Sequence, residues 1–297
     1  MKGIIIKNAS ELVTCRSSGP KHGKMMSDIG VIKNGCVVVE NDAIKDVGTS
    51  EEILKKYDEK EYRITDASGK AVLPGFIDSH THLIFGGYRA DEFSWRLKGD
   101  SYMSIMERGG GITSTVRATR DTSLDEFVER GKKTLDKYAA MGVTTVEGKS
   151  GYGLDRDTEI RQLKAMKTLN ETHPVDVVPT FLGPHSVLPE YKGKEDEFID
   201  FMIEVMKDVA ESKLAEFADI FCEKNVFSVE QSRRFLTAAK KMGLKLKIHA
   251  DEMVQLGGTE LAVELESTSA DHLLQASDKG IEMLSQSGTV ATLLPSA

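Results

Sequence analysis

From about residue 71 onward, short apolar runs alternate with longer amphipathic ones, and this rhythm constrains the fold more than any other feature of the chain. Ala71–Ile77, Val143–Glu147, Val175–Leu182, Ala218–Glu223, Leu244–His249, Thr268–His272 and Thr289–Leu294 read as strands. Helical segments lie between them. Ser123 with Glu126 makes a capping box that opens a helix to about Ala140, and Gly142 stops it. Helices follow at about Thr158–Asn170 and, strongly acidic, at about Glu195–Glu216. Ser228 with Gln231 opens another, whose end is favoured by Lys240 and Lys241 and set by Gly243. Strands and helices alternating at this length imply βα units and a parallel sheet. A (β/α)8 TIM barrel needs eight strands. Seven are counted, so the expected fold class is α/β with an incomplete barrel over 71–297 that lacks its last strand. Open first and last strands would leave backbone unpaired, an aggregation hazard.

Residues 1–70 read differently. Gly3–Lys7, Ile29–Ile32, Cys36–Glu40 and Ala43–Val47 are short, β-branched runs, and Asn34-Gly35 and Asn41-Asp42 between them are hairpin signals. Residues 16–28 read as a loop. This part is expected to be the N-terminal portion of a small β-sandwich domain.

The net charge of −8, from 39 basic and 47 acidic residues, argues against nucleic acid or an anionic membrane as the main partner. A small anionic substrate stays possible, because one placed arginine overrides the global field locally. The three cysteines, Cys15, Cys36 and Cys222, form no CxxC spacing and no disulfide framework, in keeping with a reducing cytosol. The apolar run after Met1 is too short for a signal peptide, and no stretch approaches the ~18 apolar residues of a membrane span. A cytoplasmic protein is expected.

The chemistry concentrates on histidine. In Asp78-Ser79-His80-Thr81-His82, side chains two apart share a face, so two imidazoles can bind one metal together. Of seven histidines, His80, His82, His185, His249 and His272 fall at or just beyond the C-terminal ends of four expected strands, where a barrel carries its catalytic groups. His22 and His173 do not fit and read as surface residues. His249 can be a third metal ligand. Glu252 beside it is an acid or base, or simply a helix-start carboxylate. His272 can be a ligand or a partner of the metal's water, and Asp271 reads as structural.

Glu147-Gly148-Lys149-Ser150 fails the phosphate-loop spacing, since Val143 stands where glycine is required. A substrate loop carrying Tyr152 fits better. Gly109-Gly110-Gly111 reads as a lid or a turn. Arg89, after Phe85-Gly86-Gly87-Tyr88, is able to hold a carboxylate with two parallel hydrogen bonds, and Tyr102 is a weaker candidate contact.

Leu73-Pro74-Gly75-Phe76-Ile77-Asp78-Ser79-His80-Thr81-His82 resembles the first barrel strand of the amidohydrolase superfamily. Phe85–Arg89, Gly109–Ile112, Lys149–Gly153, Gly183-Pro184-His185, His249–Glu252 and Ser269–His272, in order, resemble the imidazolonepropionase family over essentially the whole chain. The resemblance implies an amidohydrolase-type barrel and hydrolysis of 4-imidazolone-5-propanoate to N-formimidoyl-L-glutamate in histidine breakdown. It implies one zinc or iron ion on His80, His82 and His249, and substrate contacts from Arg89, Tyr102, Tyr152, His185 and Glu252. Catalytic roles fall to Glu252, His272 and His185, the last as an oxyanion donor. It also implies a homodimer at full length, and a further metal-site Asp after strand eight, beyond Ala297. The alternatives are another cyclic-amide hydrolase or deaminase, and a non-catalytic metal-binding fragment.

Overall fold

A computed structural model of the chain describes residues 1–100, 104 and 110–295. It divides into two compact units, Met1–Gly75 and Phe76–Ala297.

The first unit is one five-stranded sheet made of β1 (Gly3–Val13), β2 (Val31–Glu40), β3 (Ala43–Thr49), β4 (Arg63–Asp66) and β5 (Ala71–Val72). Its order is β3-β2-β1-β4, with β5 also on β1. Asn41 and Asp42 turn β2 into β3 with φ of 49° and 59°, the left-handed pair that a two-residue hairpin demands. Asn34-Gly35 makes no turn. It lies inside β2, with Gly35 opposite Ala9, and the register shifts nearby between Ile6 and Ala9. Asn8 and Asn34 take φ of 60° and 49°, a conformation asparagine tolerates without needing a reversal of the chain. Neighbouring residues of β2 alternate into two clusters: Val38 packs with Ile5, Cys36, Ile53 and Tyr62, and Val37 packs with Ala9, Leu12 and Ala67. Both faces of the sheet are thus covered, and a small N-terminal sheet stands where the N-terminal portion of a β-sandwich domain was expected. The expected strand Ala71–Ile77 is two strands. Residues 73–75, around Pro74, which has no N–H to donate, separate β5 from the first strand of the second unit.

The second unit is a parallel sheet of β6 (Phe76–Asp78), β7 (Val143–Lys149), β8 (Asp176–Phe181), β9 (Phe217–Ala218), β10 (Phe221–Cys222), β11 (Lys245–Ala250), β12 (Ser269–His272) and β13 (Val290–Thr292). The order is β13-β12-β11-β9-β8-β7-β6, with β10 paired to β11, so the seven-strand rhythm holds. β9 and β10 divide the single run Ala218–Glu223, and backbone bonds bridge the break: Asp219 N–H donates to Phe181 C=O and His249 N–H to Ile220 C=O.

The capping boxes at Ser123 and Ser228 form as their sequences dictate, opening helices Leu124–Ala140 and Val229–Lys241. Helices Arg156–Thr172 and Glu195–Glu211 complete the main outer layer. Their apolar stripes bury Phe127, Leu163, Leu169, Phe198 and Phe235 in the barrel-side core. The acidic helix stops before Glu216. Lys213 turns left-handed at φ 51°, and Leu214 and Lys213 donate back to Val209 and Ala210, which closes the helix end. Helices Ala90–Leu97, Ile112–Asp121 and Gly258–Glu264 have no side-chain cap at the residue that opens them, whereas Asp278–Ser285 is capped by Ser277, which accepts the Gly280 N–H at 2.8 Å. Gly258–Glu264 is opened from a distance: the Asp251 carboxylate accepts the N–H groups of Leu256, Gly257, Gly258 and Thr259.

Candidate active site

The histidine pair is aimed by the residue between its members. Thr81 Oγ1 donates to Glu147 C=O at 2.5 Å, and Lys149 N–H donates to Thr81 C=O at 2.9 Å. With Thr81 stitched to β7, His80 and His82 share the opposite side. His249 comes from β11 and His272 from the end of β12. The His80 ring lies 4.7 Å from His249 and 5.0 Å from His272, and His82 stacks on His185 at 4.7 Å.

Two of these rings are held by carboxylates. His80 Nδ1 is 2.7 Å from Asp271 Oδ2, and His249 Nδ1 is 3.0 Å from Asp219 Oδ2. A carboxylate at Nδ1 takes that nitrogen's proton as a hydrogen bond and leaves Nε2 with a free lone pair. His249 Nε2 and His82 Nδ1 are buried without a hydrogen-bond partner. One nitrogen from each of His80, His82 and His249 falls within 4.8 Å of the others. Three converging imidazoles, two with buried unpartnered nitrogens and two backed by carboxylates, fit a metal ion. Burial also disfavours the protonated form of His82 and His249. It pushes the His249 imidazole down to about 3 against the pull of Asp219. His82 sits well below the usual histidine range through burial and the neighbouring His185 and His249.

Beneath the rings lies a buried ionic cluster. Lys149 Nζ is 2.7 Å from Asp219, 2.9 Å from Glu147 and 3.4 Å from Asp271. Lys247 Nζ donates to Ser79 C=O at 3.0 Å and faces Glu147 and Asp271. Burial pulls the Lys149 ammonium down, but Asp219, Glu147 and Asp271 outweigh it and raise it above the ordinary lysine range. Sequence reasoning missed Lys149, Lys247, Glu147 and Asp219. Asp271, read as structural, is bonded directly to His80.

A cavity of about 610 Å³ opens above the histidines, lined also by Arg89, Phe221, Glu252 and Met253. Arg89 is exposed at the rim, 3.8 Å from Glu92. Tyr152 lies 5.0 Å from His82 and 5.1 Å from His185, ring to ring. Its loop is shaped by Glu159, whose carboxylate accepts the N–H groups of Gly151, Gly153 and Leu154 at 2.8–2.9 Å. Gly151 has φ 105°, which a residue with a Cβ resists. Replacing Glu159 with Ala leaves three buried donors unpaired, and a loss of about 2–4 kcal/mol of stability is expected. Urea denaturation checks this; a loss below about 0.5 kcal/mol would contradict the loop's dependence on Glu159.

Glu252 is half-buried, 3.6 Å from His272 Nδ1, and burial with the like charge of Glu223 raises its carboxyl above the usual range. Glu223 shapes this turn by accepting the Met253 N–H at 2.8 Å. Asp251, His272 and Leu273 take φ of 48°, 77° and 61°, a concentration of left-handed backbone at the strand ends that carry the site. Tyr102 and Gly109 lie outside the described residues. His173 is no free surface group: its Nδ1 accepts the Val175 N–H, and Nε2 faces Asp136.

Burial holds His185 and His272 down to about 4, as it holds His249 to about 3. Free histidine titrates near 6.5, so between about 6.5 and 4 the unfolded chain binds protons that the folded chain refuses. Stability of the metal-free chain is therefore expected to fall as pH drops through this window, by up to about 1.4 kcal/mol per pH unit for each histidine. Denaturant midpoints at about pH 7 and about pH 5 check it; equal midpoints would contradict buried neutral histidines.

The parallel half-barrel, with its histidines at the C-terminal strand ends, has the amidohydrolase fold. It is similar to 5-methylcytosine deaminase from Klebsiella pneumoniae at a TM-score of 0.67 and 16% identity, over 97% of this chain and 64% of that one. The amidohydrolase family profile matches residues 63–110. Imidazolonepropionase of Clostridium tetani is 58% identical over 98% of this chain and 70% of its own length. Imidazolonepropionase of Parabacteroides distasonis is 55% identical over the same shares. The chain belongs to the imidazolonepropionase family, and spans about 70% of these relatives' length.

Proposed function

We propose that the chain hydrolyses the ring amide of 4-imidazolone-5-propanoate to N-formimidoyl-L-glutamate, with one zinc or iron ion held by His80, His82 and His249. The observation that carries this reading is the convergence of those three nitrogens within 4.8 Å, with Asp271 and Asp219 behind two of the rings. Imidazole ligands suit either metal. When bound, such an ion brings the pKa of its water toward ~7 and polarises the ring carbonyl.

The chain's own residues do the rest. Arg89 at the rim holds the propanoate carboxylate through its planar fork. Tyr152 and His185 form the wall against the ring, and Tyr102 joins the contacts on the strength of the resemblance. His185 Nδ1 is 2.9 Å from the Gly151 carbonyl, which only accepts, so Nδ1 carries the proton. At neutral pH this buried imidazole is uncharged, and its Nε2 accepts. We therefore assign His185 to a ring N–H of the substrate instead of the oxyanion. Glu252, its carboxyl raised above the ordinary glutamate value, takes the proton of the attacking water and returns it to the leaving ring nitrogen. His272, neutral and 3.6 Å from Glu252, stands beside the attacking water on the strength of the resemblance.

No helix among the described residues is long and apolar enough to cross a membrane. A cytoplasmic homodimer acting on a small anionic substrate, without nucleic acid or membrane, completes the reading. Product analysis by mass spectrometry tests it, with cytosine and other cyclic amides offered beside 4-imidazolone-5-propanoate. Formimidoylglutamate alone is expected; turnover of the other substrates in its place would overturn the assignment.

A further inference from the structure

We infer that Lys149 is a positioning residue for the metal centre: its ammonium ties Asp219 to Asp271 and so fixes the rings of His249 and His80, each with Nε2 left for the ion. The inference rests on reading the three histidines as metal ligands, and goes beyond that reading to the side chain that orients two of them.

Lys149 is fully buried at the end of β7. Its three N–H groups meet three carboxylates, at 2.7 Å (Asp219), 2.9 Å (Glu147) and 3.4 Å (Asp271). Two of those carboxylates continue directly to imidazoles, Asp219 to His249 and Asp271 to His80. A single nitrogen at the end of β7 thereby sets the orientation of two rings, one on β11 and one in the turn after β6. The two arms differ. Asp271 has Lys247 as a second lysine, at 3.5 Å, and Ser269 Oγ as a donor at 2.7 Å. Among the described residues, Asp219 has Lys149 as its one lysine partner. Loss of Lys149 therefore acts chiefly through Asp219 on His249.

A plainer role is charge balance, since three buried carboxylates need cations nearby. The two roles separate in a charge-neutral variant. Lys149→Met removes the bridge and one positive charge. Lys149→Met with Glu147→Gln removes the bridge but also one negative charge, leaving the net buried charge as it was.

Cobalt(II) is titrated into the full chain, the single variant, the double variant and His80→Ala, in competition with a chelator, and the visible spectrum of bound cobalt is recorded. Both Lys149 variants are expected to bind cobalt about 10–100-fold more weakly, the range seen when groups behind metal ligands are lost. Their cobalt bands should shift from those of the unmodified chain. Recovery of the original affinity and spectrum in the double variant would overturn the inference in favour of charge balance. If His80→Ala loses cobalt while both Lys149 variants keep it unchanged, the inference alone falls. An unmodified chain that binds no cobalt overturns the three-histidine reading and this inference with it. Should the single variant not fold, the double variant carries the same test.

Discussion

Replacing His249 with Ala is expected to abolish tight binding of one metal ion per chain and to lower turnover by about 10³-fold or more. The magnitude follows from what a bound ion would supply, a positive charge and an activated water. His249 matters more than its single nitrogen suggests. It lies on the interior strand β11, and its ring neighbours those of His80, His82, His185 and His272. Removing it also leaves Asp219 with its lysine but without its imidazole. Metal content after dialysis, measured beside turnover, checks the expectation. A variant that keeps one tightly held ion would show that His249 is no ligand.

Glu252→Gln is expected to lower turnover by about 10²–10⁴-fold while metal content stays unchanged. Glutamine keeps the shape and the capacity to hydrogen-bond but cannot take and return a proton. Burial and the charge of Glu223 raise the carboxyl above the ordinary glutamate value, which makes it a stronger base. If turnover falls and KM changes little, the lost interaction belongs to the transition state. Undiminished turnover would remove Glu252 from the acid–base role and move attention to His272.

Much of the barrel was legible because its signals are local. Ser123 with Glu126, and Ser228 with Gln231, sit three residues apart and form their capping boxes as written. The placement of five histidines at four strand ends followed from the strand–helix rhythm alone, and the structure gathers those rings into one cluster. What was not legible depends on partners far away in the chain. Lys149 reads locally as part of a failed phosphate loop. Its meaning comes from Asp219, 70 positions on, and Asp271, 122 positions on. Glu159 looks like an ordinary charge on a helix until the loop before it folds back to present three N–H groups. Asn34-Gly35 carries the composition of a hairpin turn, but its backbone preference is equally met inside a strand beside a register shift, and strand pairing with β1 decides the outcome.

The central claim is that this chain is a metal-dependent hydrolase of 4-imidazolone-5-propanoate. The most direct test strips the chain with a chelator, adds back zinc or iron in measured amounts, and follows disappearance of the substrate. The account predicts no turnover in the stripped chain and activity that rises with added metal to a plateau at one ion per chain. Turnover that persists in the stripped chain, or that ignores added metal, would contradict it.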